Sequence, residues 1–157
     1  MKLSAQALFF CALFTFQVWL QVRRGALNGL FFYPRPVREE AFAKGLSTPE
    51  KLKMQRLCFL IPFVAVQGAV LFLLVYAGEA PQSFRSAYLH SLFLLEVMNL
   101  YDGIVIDKLW VGLDPFWKLP GIDSPYAQSW PEMFIKRAKL ALFWVFAALL
   151  PALPALF

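Results

Sequence analysis

Leu57-Cys-Phe-Leu-Ile-Pro-Phe-Val-Ala-Val-Gln-Gly-Ala-Val-Leu-Phe-Leu-Leu-Val-Tyr-Ala77 contains one amide, Gln67, and no charge. A helix needs about 20 apolar residues to cross the hydrocarbon core of a bilayer, so this run reads as a transmembrane helix. Three more stretches reach that length: Leu3–Val22, Ala87–Ile106 and Leu140–Phe157. The whole chain agrees with them. Its 157 residues are 60% hydrophobic and only 16% charged, against about 25% charged in ordinary soluble domains. That balance excludes a disordered chain and a disulfide scaffold. It also leaves too little polar surface to cover a soluble domain. The expected fold is all-α: one polytopic transmembrane domain of four helices, joined by connections over residues 23–56 and 107–139.

The basic residues predict the orientation. Of 15 Lys and Arg, eight lie between Arg23 and Arg56 and five between Lys108 and Lys139. The positive-inside rule then puts both connections in the cytoplasm and both termini outside. Most of the +5 net charge belongs to these loops, so the basic balance calls for no nucleic-acid partner. The first span reads as a signal anchor, because Arg23-Arg24 follow it and no small-residue cleavage site does. Cys11 and Cys58 fall at different depths in the first two spans. They read as small buried hydrophobes, not as a disulfide.

The connections carry structure of their own. Ser47-Thr48-Pro49-Glu50 and Ser129-Trp130-Pro131-Glu132 both match a capping box, with Ser47 and Ser129 as N-caps. Gly45 is placed to end a short helix beginning near Pro36, and a second helix would run unbroken from Ser47 into the second span. An aromatic, proline-containing stretch precedes each box, Gly29–Pro34 in one connection and Gly112–Trp117 in the other. This pairing suggests a pseudo-repeat of two helical hairpins. Trp19, Tyr33, Tyr76, Tyr88, Trp110, Trp117 and Trp130 are expected in interfacial belts. Leu30–Tyr33, flanked by arginines, is expected to lie in the cytoplasmic interface.

The third span is the polar one, with His90, Glu96, Asn99 and Asp102. Ionisable groups at membrane depth normally face protein or water. With Glu96 at zero on a helical wheel, Asn99 falls at about −60°, Asp102 at about −120°, Gly103 at about −20° and Asp107 at about +20°. Asn99 and Asp102 lie about 5 and 9 Å nearer the connections than Glu96. Three readings follow. The first is interhelical hydrogen bonding with Gln17, Gln21 or Gln67 as partners. The second is a hard-cation site of carboxylates and an amide, suited to Mg²⁺ or Ca²⁺. The third is a path for protons or cations.

Asn99-x-x-Asp102-Gly103 resembles the opening of the CDP-alcohol phosphotransferase signature. The first acid of that signature is Asn here, and its later acidic half does not follow. In size and expected topology the chain is similar to the small four-span membrane enzymes that use glutathione and eicosanoids, although their Glu-Arg-rich second-span motif is absent. Over nearly its whole length it resembles a family of small four-span bacterial membrane proteins. The residues that carry this resemblance are Phe31–Pro36, Glu96–Asn99, Asp107–Gly112, Pro120-Gly121 and Trp130-Pro131. It implies a bacterial inner-membrane location and no mechanism.

The functional expectation is a site at the cytoplasmic end of the bundle. Glu96 and Asp102 would serve as acid–base groups. Asn99, Arg23, Arg24, Arg35 and Arg38 would hold an anionic headgroup. Asp102 and Asp107 would bind Mg²⁺ or another hard divalent cation. The ligand would be a lipid or a similar amphiphile, bound or processed. The alternatives are a transporter or channel component that uses the intramembrane carboxylates, and a scaffold or accessory subunit. The expected partners are membrane lipids and a second copy of the chain. Small residues such as Gly68, Ala69, Ala147 and Ala148 would permit close helix contact.

Overall fold

The computed structural model describes residues 2–76 and 83–156. Ala77 and Phe157, the last residues of two expected spans, lie outside them. The described chain is helical, and four of its helices are long and apolar enough to cross a membrane: Leu3–Val22, Pro49–Tyr76, Phe84–Leu113 and Trp130–Leu156. Exposed Leu8, Ile61, Leu100 and Leu142 give them an apolar outer surface, as helices in lipid require.

Local chemistry sets where these helices begin and end. The short helix Arg35–Ala43 stops in a Schellman motif. The Leu46 amide donates to Ala41 O at 2.9 Å and the Gly45 amide to Phe42 O at 3.0 Å, and Gly45 takes φ +68°, a conformation glycine adopts without Cβ strain. The next helix starts one residue later than the capping-box reading predicts. It runs from Pro49, and its cap is Thr48, whose Oγ1 accepts from the Lys51 amide at 3.2 Å. Ser47 Oγ is buried without a partner. Pro49 at the first helical position fits this register, because the proline nitrogen would have no intrahelical acceptor there. The second box forms in full: Ser129 Oγ accepts from the Glu132 amide, while the Glu132 carboxylate accepts from the Ser129 amide.

Both of the polar-flanked helices exceed their expected lengths. The third extends past Ile106 to Leu113, and the fourth runs from Trp130, where the Ser129 cap places its start, ahead of the apolar span expected from Leu140. The third is the hub, packed against the first, second and fourth, and the first packs on the second as well. The second and fourth meet only weakly. Tyr76 Oη donates to Pro151 O at 2.9 Å near their tips, and they diverge toward the connections.

The two long connections share one end of the bundle, and they are packed into it. Trp117 is fully buried and Tyr33 nearly so, so neither sits in an interfacial belt. Leu30 is also buried, so the Leu30–Tyr33 stretch turns inward. The Tyr33 ring meets Trp117 edge-on at 5.5 Å, and its hydroxyl donates to Trp117 O at 2.7 Å. Burial raises the Tyr33 pKa, so the phenol stays a neutral donor. The two aromatic stretches that suggested a repeat thus clamp one connection to the other. Of the cysteines, Cys11 is buried as expected, whereas Cys58 faces outward. Gly68 and Ala69 also face outward, so of the small residues it is Ala148 that packs fully inside.

Candidate functional site

The third helix changes geometry where its acids begin. Residues Asp102–Trp110 form a π-helix, whose i→i+5 hydrogen bonds widen the turn. An ideal α-helix would put Asp102 and Asp107 about 140° apart. The wider turn brings both carboxylates to one side, and they meet a single guanidinium. Arg137, on the first half of the fourth helix, donates Nη1 to Asp102 and Nη2 to Asp107. Lys136 Nζ lies 2.9 Å from the same Asp107 oxygen. Arg137 and Asp107 are 3% and 5% exposed as side chains, so this ion pair is desolvated and tightly enclosed.

Gly103 makes the crossing feasible. A Cβ there would lie 2.8 Å from Met133 Sδ and 2.9 Å from Arg137 Nε, closer than atoms can pack. Asn99 fastens the other side of the crossing. Its Nδ2 donates to Arg137 O at 3.1 Å and to Glu96 Oε2 at 3.2 Å. The interhelical partners of the polar stripe are therefore Arg137 and Lys136, not the glutamines. Gln21 instead donates to Asn28 O at 2.8 Å, and both side-chain polar atoms of Gln67 are buried without partners. His90 stands apart from the acids, as expected, with Nε2 2.7 Å from Gln6 Oε1.

Beside this cluster the divergence of the second and fourth helices leaves a cleft of about 1230 Å³. Phe59 and Phe63 of the second helix form one wall, and Phe143 and Trp144 of the fourth form the other. Phe31 and Phe32 continue the first wall into the connection, with ring centroids 5.4 and 5.1 Å from Phe59. Asn99 and Asp102 lie in the lining, and Arg35, Arg38, Arg56 and Lys136 bring positive charge to it. Asn99 Oδ1, Arg137 Nε and Trp144 Nε1 are buried without partners, so the lining retains unused hydrogen-bonding capacity.

The expected site residues therefore divide. Asn99, Asp102, Arg35 and Arg38 line the cleft. Asp107 lies behind Asp102 as the second anchor of Arg137. Glu96 is bonded to Asn99 and lies outside the lining. Arg23 and Arg24 are exposed at the end of the first helix and also lie outside it; the Arg23 guanidinium sits 6.0 Å from the Trp19 ring centroid. Asp102 and Asp107 already receive the cations of Arg137 and Lys136, and the described residues contain no group of three or more acid, His or Cys side chains placed to hold a metal. This donor set fits a divalent cation poorly, because the positive charge it would supply is already provided by the chain.

Arg137, Lys136, Arg56 and Trp144 were missing from the sequence expectation. Lys136-Arg137, just before the apolar run of the fourth helix, was the available signal. On a helix beginning at the Ser129 cap, Met133 and Arg137 are four residues apart and share a face. No family model, no curated protein and no solved structure matches the chain.

Proposed function

We propose that this protein binds an anionic amphiphile of the bilayer in the cleft between its second and fourth helices. The carrying observation is the cleft itself: aromatic walls, a cationic rim, and two flanking helices that diverge. A ligand between diverging helices can keep its chain in lipid while its head reaches the arginines, so it need not leave the membrane. The volume, about 1230 Å³, exceeds the roughly 300–1,000 Å³ of ordinary small-molecule sites and suits a headgroup with part of its tail. In this reading the Asp102–Arg137–Asp107 cluster shapes the floor and holds the third and fourth helices in register. The thirteen basic residues at the connection end support a cytoplasmic placement of that end, in a bacterial inner membrane.

The test is lipid retention. The protein, purified in mild detergent, is compared by native mass spectrometry with a variant whose cleft is filled by Leu60→Trp and Val64→Trp, two lining positions on the second helix. The expected result is a lipid adduct on the parent that is lost from the variant, with both unfolding at similar temperatures. Equal retention by the two proteins would refute the reading.

A further inference from the structure

The rim of the cleft is unevenly compensated. Arg35 is paired with Glu39 at 2.7 Å. Arg38 on the short helix and Arg56 on the second long helix have no carboxylate within ion-pair distance among the described residues. Both line the cleft, and Arg38 Nε is buried without a partner. Burial and the nearby charges of Arg56 and Arg35 disfavour the Arg38 cation, partly offset by Glu39. Arg38 is half-buried and Arg56 exposed, so two like charges from separate elements face one cleft, and an anion between them would relieve their repulsion.

We infer that the head of the bound amphiphile is a phosphate monoester, held between Arg38 and Arg56. Two guanidiniums without an ion-pair partner match a dianion better than a monoanion. A phosphate monoester carries about −1.5 to −2 charges near neutral pH, whereas a carboxylate or phosphodiester carries one. Guanidinium forks also fit pairs of phosphate oxygens in bidentate geometry. Arg35, neutralised by Glu39, is left as a weaker neighbour. The inference rests on the amphiphile reading and narrows it to one class of headgroup.

The experiment uses the full chain in nanodiscs of neutral lipid at pH 8, titrated with phosphatidic acid, phosphatidylglycerol and inorganic phosphate. Phosphatidic acid is expected to bind about tenfold more tightly than phosphatidylglycerol, as two charge-assisted contacts in place of one imply. Arg38→Gln with Arg56→Gln should abolish that preference while lipid still occupies the cleft. Arg23→Gln with Arg24→Gln should preserve it. Inorganic phosphate that binds as tightly as phosphatidic acid, and is lost in the Arg38/Arg56 variant, keeps the phosphate site but makes its source the free anion. Equal affinity for the two lipids, or a preference that survives in the Arg38/Arg56 variant, overturns the inference and leaves the amphiphile reading standing. No lipid bound to the parent at all would remove the amphiphile reading itself.

Discussion

The two ends of the bundle are held together by different chemistry. Away from the connections the cross-links are neutral. Gln6 donates Nε2 to Leu74 O at 3.1 Å and engages His90 through Oε1. Tyr76 donates to Pro151 O, and Tyr88 to Val145 O at 3.2 Å. Gln6 thereby joins the first three helices with both its polar ends satisfied. At the connection end the links are ionic, the helices part, and buried polar atoms of Asn99 and Arg137 stay unpartnered. A buried ion pair gives little net stability over apolar packing of the same volume, and losing one partner is costly. Gln67, between the two ends, is likewise buried with both polar atoms unpartnered, so what sets the connection end apart is its buried ions and the open cleft beside them.

Removing Arg137 should expose this difference most. Arg137→Met leaves Asp102 and Asp107 buried together with only Lys136 nearby, and breaking a buried pair this way costs about 3–5 kcal/mol. Thermal unfolding in detergent should show a large drop. Adding Asp102→Asn and Asp107→Asn to the same chain should recover most of it, because no uncompensated charge remains. If the single variant unfolds like the parent, the ionic end is no more critical than the neutral one. A subtler intervention is Gly103→Ala, which puts a methyl against Met133 and Arg137. Overpacking of this kind costs about 1–3 kcal/mol. Gly68→Ala meets nothing within 4 Å, and there the change from Gly is expected to stabilise the helix by up to about 1 kcal/mol. The two alanines should move the unfolding temperature in opposite directions.

The sequence revealed the four long helices because apolar length is a property of a single segment. Ser129–Glu132 and Gly45 were also legible, since caps act within a few residues. The cluster was only half legible. Asp102 stands out as an acid within an apolar run, but its partner lies on another helix, ahead of the apolar run of the fourth span, and nothing local pairs the two. The α-helical wheel separated Asp102 from Asp107. Their convergence depends on a π-helical turn, and no local preference in Asp-Gly-Ile-Val-Ile-Asp signals one. Tyr33 and Trp117 read as interfacial because aromatic, proline-containing stretches beside basic residues usually are. Their burial follows from the two connections docking on each other, which no single stretch encodes.

At the neutral end, Gln6→Leu should cost less than either change at Arg137 or Gly103. It deletes the bonds to Leu74 O and His90 but leaves no ion unpaired. Side-chain hydrogen bonds in membrane proteins average about 0.6 kcal/mol each, so losing two should cost about 1 kcal/mol. A drop as large as that of Arg137→Met would erase the distinction between the two ends.

The smallest effect expected is a pH-dependent one at the outer layer of the connection end. Glu40, on the short helix, accepts from Lys44 Nζ at 2.7 Å and from the amides of Asp123 and Ser124 at 3.2 and 3.0 Å. These bonds, that of Lys44 first, lower its pKa to about 2 from an ordinary 4.5. A carboxylate depressed in the folded state contributes its stabilisation fully above the ordinary value and loses it as pH falls toward the depressed one. The tie between the two connections should therefore be intact at pH 6 and progressively released from about pH 4.5 to about pH 2. Amide protection at Asp123 and Ser124, corrected for intrinsic exchange rates, should fall over that window, and Glu40→Gln should lower it already at pH 6. The hydrogen bonds of Tyr76 to Pro151 O and of Tyr88 to Val145 O involve no group that titrates in this window, so amide protection beside Pro151 and Val145 should stay level through the same titration. Loss at both ends together would mean that the whole bundle opens in acid, and that the connection end has no separate, charge-held layer.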